Sequence, residues 1–234
     1  MSTAIKLENE SMTLQNSSIN FATGAIISTI IALICLFSLH LLSPEFNPSW
    51  RMVSEYALGN YGWVLSVMFI TWAIGTWALA YALKTEVKTT GGKIGLFFLV
   101  LAGIGEAMAA FFDVQHPLHG VAAMIGMPSL SIAAILISIS LKKNPSWTFS
   151  RKKIILTAHF TWISILLMSI GVMFLFDGFN KAGVDMSSGK APETLPHGVI
   201  AFAGWANRLL ILCYCIWVIT AASQFKKVFR NNNA

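Results

Sequence analysis

The sequence predicts an all-α fold: a polytopic membrane helix bundle with six transmembrane helices. Three observations carry this. Six apolar stretches run over roughly 20–42, 61–83, 94–112, 119–141, 154–176 and 198–222, and about 20 apolar residues are what a helix needs to cross ~30 Å of hydrocarbon. Hydrophobic residues make up 56% of the chain and charged ones only 11%, which excludes an ordinary soluble domain. The positive charge also alternates in side. Lys6, Lys84, Lys88, Lys93, Lys142, Lys143, Arg151, Lys152, Lys153, Lys226, Lys227 and Arg230 fall on one face of the predicted bundle, whereas Arg51, Lys181 and Lys190 fall on the other. Cytoplasmic loops collect Lys and Arg, so the N- and C-termini are expected to be cytoplasmic.

Taken in order, residues 1–19 are polar and read as a mobile N-terminus. The first span is read as retained, because its apolar core exceeds the ~7–15 residues of a cleaved signal and no small-x-small site follows it. The loop 43–60 carries Glu45, Arg51 and Glu55, and Tyr61-Gly62-Trp63 opens span two. A short basic loop, 84–93, supplies Thr89-Thr90-Gly91-Gly92 as turn chemistry before span three. Span three contains Gly95, Gly103 and Gly105, which permit close helix approach, and Glu106. Asp113-Val114-Gln115-His116-Pro117-Leu118 links it to span four, where Pro128 is internal. The basic loop 142–153 leads to span five with His159, and the loop 177–197 holds Asp177, Asp185 and Glu193. Span six contains Asn207 and Arg208, and 223–234 forms a basic cytoplasmic tail. The domain division is therefore 1–19, 20–222 and 223–234. Cys35, Cys213 and Cys215 lie in spans and read as buried apolar residues.

There is an internal echo. His119-Gly120-Val121-Ala122 opens span four as His197-Gly198-Val199-Ile200 opens span six, each shortly after a Pro. The preceding spans end alike, in Phe112-Asp113 and Phe176-Asp177. This pattern suggests three repeated helical hairpins, set against chance similarity between apolar helices.

Polar groups inside a span need a partner or a use. Glu106 and Arg208 have opposite charge at related depth, which suggests a structural ion pair. Arg208 could instead end a polar pocket open to the outside. Glu55, Asp113, His119 and His197 share that outer level, so Glu55, Asp113, His119, His197 and Arg208 are the candidate ligand-binding set. Asp113, His116, His119 and His197 are candidate zinc ligands. His119 and His197 can equally serve as local caps of helix N-termini. His159 lies at the opposite end of its span from this set and has no partner at matched depth for a haem. Ser54 lacks a Gly-x-Ser-x-Gly elbow, so a loop hydrogen bond is its expected role. The net charge of +6 reads as a topology signal facing anionic lipid, and nucleic acid is not an expected partner.

Ser54-Glu55-Tyr56-Ala57-Leu58-Gly59 with Tyr61-Gly62-Trp63, then Phe112-Asp113 followed by Pro117 and His119-Gly120, then Asn207-Arg208-Leu209, resemble the bacterial and archaeal membrane proteins called domain of unknown function 998. The resemblance runs over roughly 20–222. It implies a multi-pass protein of a prokaryotic inner or plasma membrane and brings no reaction with it. In similar proteins an acidic residue or Gln commonly precedes the Arg. Here it is Asn207, which puts more weight on Glu106 as a partner.

The leading functional expectation is an outward-facing polar pocket for a small anionic or lipid-headgroup ligand, with no cofactor. The alternatives are a zinc-dependent membrane hydrolase, with Glu55 as general base, and a small-solute transporter with a helix broken near Pro128.

Overall fold

A computed structural model describes residues 2–184 and 192–232, with side chains over 16–184 and 192–231. Asp185 and Lys190 lie outside the described residues. Six helices account for most of the chain: α1 Ser2–Leu42, α2 Gly62–Leu83, α3 Thr90–Phe111, α4 His119–Lys143, α5 Arg151–Lys181 and α6 Ala203–Asn232. Each contains a segment long and apolar enough to cross a membrane, and that of α1 is Asn16–Leu42. Short 3₁₀ helices at Val53–Leu58 and Pro145–Ser150 interrupt two of the connections.

Consecutive helices pack side by side, and α6 returns to α1, closing a ring. Helix α6 also touches α2 and α4 and is the most enclosed of the six. Its large side chains Tyr214 and Trp217 are fully buried, whereas Phe97 on α3 and Phe160 on α5 point outward. Apolar residues facing outward suit a hydrocarbon solvent. Lipid supplies little hydrophobic drive between helices, so close backbone approach must hold them together. Gly105 shows this: a Cβ there would overlap the backbone of Gly126, so α3 and α4 cross in direct contact.

The helix ends depart from the sequence reading in three places. Helix α1 begins at Ser2, so the polar N-terminal residues continue the first helix. Helix α5 runs on to Lys181 and carries Asp177, which pairs with Lys181 one turn away. His197-Gly198 does not open α6, which begins at Ala203. Gly198 adopts a left-handed φ of 83°, and Val199 and Phe202 pack against Gly178 and Gly171 of α5. His119, by contrast, is the first residue of α4, so the two echoed motifs take different conformations. Helix α4 is continuous through Pro128.

We call the end bearing residues 43–61, 112–118 and 192–202 the upper end. The lower end carries 84–89 and 144–150. There Glu86 accepts hydrogen bonds from Trp147 Nε1–H at 2.9 Å and Asn144 Nδ2–H at 3.2 Å, tying two connections together.

Candidate functional site

At the upper end the chain leaves α1 and folds back over the bundle. Ser49 N–H donates to Asn47 Oδ1, turning the loop, and the 3₁₀ helix Val53–Leu58 follows. Glu55 accepts from Met52 N–H at 2.8 Å and pairs with Arg51 at 2.5 Å. Arg51 also donates to Pro192 O at 3.1 Å, joining this loop to the α5–α6 connection. Gly204, at the start of α6, lets the loop come close. A Cβ there would lie 2.5 Å from Pro48 O and 2.6 Å from Arg51 O.

Asn207 and Arg208 fasten the loop from below. Asn207 Oδ1 accepts from Val53 N–H at 2.9 Å. Arg208, only 6% exposed, donates from Nε to His40 Nε2 at 2.8 Å, from Nη1 to Arg51 O at 2.7 Å and Gly204 O at 3.0 Å, and from Nη2 to Tyr56 Oη at 2.9 Å. His40 Nδ1 is 2.8 Å from Leu36 O. A carbonyl only accepts, so Nδ1 carries the proton and Nε2 offers its lone pair to Arg208. One side chain thus links α1, the loop and α6 through neutral acceptors.

The expected Glu106–Arg208 ion pair is not formed. Among the described residues the ion pairs are Arg51–Glu55 and Lys181–Asp177. Neighbouring residues on a helix point about 100° apart. Asn207 faces the interior space that Glu106 lines, whereas Arg208 turns toward α1 and the loop.

That space is a cavity of about 330 Å³ under the loop. Met52, Val53 and Ser54 form its roof. Helices α2, α3, α4 and α6 form the walls, and Met168 and Val172 of α5 complete them. Most of the surface is apolar. Tyr214 Oη is engaged, donating to Met127 O and bonding Ser131 Oγ, both at 2.7 Å. Asn207 is engaged at both ends, its Nδ2 lying 3.4 Å from Met168 Sδ. Two lining side chains are not satisfied. Glu106 Oε2 and Trp72 Nε1 are buried without a hydrogen-bond partner. Glu106 is 6% exposed, with Thr76 beside it. Among the described residues, no Lys or Arg lines the cavity.

Of the five candidate ligand-binding residues, only His119 lines this cavity. Its Nδ1 is 2.8 Å from Phe112 O, which closes the α3–α4 connection. Glu55 is held in the loop by Arg51 and Met52. Asp113 is exposed and caps its own turn, accepting from Gln115 N–H and His116 N–H. His197 is exposed in the α5–α6 connection. The expected zinc set therefore does not assemble: among the described residues, no three His, Cys, Asp or Glu gather to hold a metal. His116 is exposed, its Nδ1 accepting from Leu118 N–H. Ser54, expected to serve only the loop, is part of the roof.

Sequence reasoning passed over His40, Tyr56 and Trp72 as site residues. His40 shares the upper level with Glu55 and Tyr56 adjoins it in sequence, so both were within reach. Nothing along the chain distinguishes Trp72 from the other seven Trp.

A family model described as Protein of unknown function (DUF998) matches residues 26–224. No curated protein and no solved structure matches.

Proposed function

We propose that this chain, which belongs to the DUF998 family, binds a small amphiphile drawn from the surrounding membrane inside the upper half of its bundle. The observation that carries the reading is the cavity. It is roofed by a loop that Asn207 and Arg208 hold in place, walled by apolar side chains, and supplied with a few polar groups. That is the usual make-up of a small-molecule site. Along α6 it reaches from Asn207 to Tyr214, about 10 Å at the rise of a helix. On the positive-inside argument the upper end faces outward, so the ligand enters from the outer leaflet or the external face.

The lining favours an amphiphile over a free anion, because the donors of Arg208 are already directed to protein acceptors. A transport role has less support, since α4 runs unbroken through Pro128. A zinc-dependent hydrolase would need donors that this bundle keeps apart.

The test is to fill the cavity. Ala123 lies on its α4 wall, partly buried. Native protein purified in mild detergent is expected to retain a bound amphiphile, identified by extraction and mass spectrometry. Ala123→Phe is expected to lose it while keeping a monodisperse elution profile. Equal retention by both proteins would overturn the proposal.

A further inference from the structure

The polar atoms of the cavity are unequal in what they still need. Asn207 and Tyr214 are engaged with the protein. Glu106 has only the Thr76 hydroxyl beside it: its carboxyl is more than nine-tenths buried, lines the cavity and leaves Oε2 without a partner. A carboxylate at membrane depth is costly unless a cation or strong donors meet it. Among the described residues none provides such a cation, since no Lys or Arg lines the space and Arg208 is directed elsewhere. His119 adds a second acceptor. Its Nδ1–H is directed to Phe112 O, which leaves Nε2 with a lone pair.

The walls agree with this charge. Phe69 and Trp72 stack with centroids 6.3 Å apart, and Trp72 meets Tyr214 edge to face at 6.3 Å. All three line the cavity beside Glu106. Aromatic faces attract cations, more strongly when water is excluded. An anionic headgroup would meet the opposite: an acidic group at Glu106 and, among the described residues, no basic residue to answer it.

We infer that the cavity selects a lipophilic amine, held as its ammonium by Glu106 with its apolar tail against the aromatic and aliphatic walls. This rests on the cavity being a ligand site and specifies the chemistry of the ligand's polar end.

The experiment uses the full chain in phosphatidylcholine nanodiscs at neutral pH. Radiolabelled octylamine and octanol share a tail and differ in the cation, and binding to empty nanodiscs is subtracted. Octylamine is expected to bind saturably and at least about tenfold more tightly than octanol. Glu106→Gln, which keeps the shape and removes the charge, is expected to abolish that preference, bringing the octylamine-to-octanol affinity ratio to about one. Ala123→Phe is expected to lose both probes. Equal affinity for the two probes, or an amine preference that survives Glu106→Gln, overturns the inference. Should Glu106→Gln fail to fold, the amine-to-alcohol ratio of the native protein decides alone. If that ratio is near one but Ala123→Phe still strips the co-purifying amphiphile, the cavity remains a ligand site and only its selectivity is refuted. If Ala123→Phe changes neither measurement, both statements fall.

Discussion

Arg208 illustrates how a charge deep in a bundle can be structural without an ionic partner. Its hydrogen bonds reach a histidine, a tyrosine and two carbonyls. Bonds to a charged donor are stronger than neutral ones. Removing the donor leaves buried acceptors on α1 and the loop unanswered. Arg208→Met is therefore expected to destabilise the protein by on the order of 3 kcal/mol, and Tyr56→Phe, which loses a single bond, by about 2 kcal/mol. Thermal unfolding in detergent measures both. A stable Arg208→Met protein that has lost its ligand would instead return Arg208 to the binding site. Proximity to the upper end of the bundle was legible from the sequence for Glu55 and His119. Direction around the helix was not. Asn207 and Arg208 sit at nearly the same depth yet face different neighbours, and only packing decides which faces the cavity.

At the scale of elements, hydropathy located all six helices, because lipid rewards uninterrupted apolar length. It placed the α6 start too early, at 198 rather than Ala203. Residues 198–202 are as apolar as a helix but pack on α5 through Val199 and Phe202 and let the chain reach the loop at Gly204. Hydropathy cannot tell an apolar segment that crosses a membrane from one that lies on a neighbouring helix. The α3–α4 crossing depends on small residues instead. Gly105→Leu would force these two helices apart where Gly105 meets Gly126. It is expected to cost about 3 kcal/mol by overpacking and to broaden the elution profile in detergent. Gly91→Ala, at an exposed position with open space around it, serves as the control and is expected to change neither.

For the whole molecule, the distribution of Lys and Arg predicts an orientation that can be measured independently of function. With Cys35, Cys213 and Cys215 replaced, a single cysteine at Gln115 is expected to react with a membrane-impermeant maleimide in intact cells. A cysteine at Lys88 should react only after permeabilisation. Both positions lie in connections at opposite ends of the bundle. The reverse pattern would invert the protein and move the entrance of the cavity to the cytoplasmic side.

The link from Arg208 to His40 joins the last helix to the first. During synthesis α1 is made long before α6, so the hydrogen bonds from Asn207 and Arg208 that fasten the loop cannot form until α6 is in the membrane. Until then His40 and Tyr56 wait without their donor. Completion of the roof is thus a late event in biogenesis.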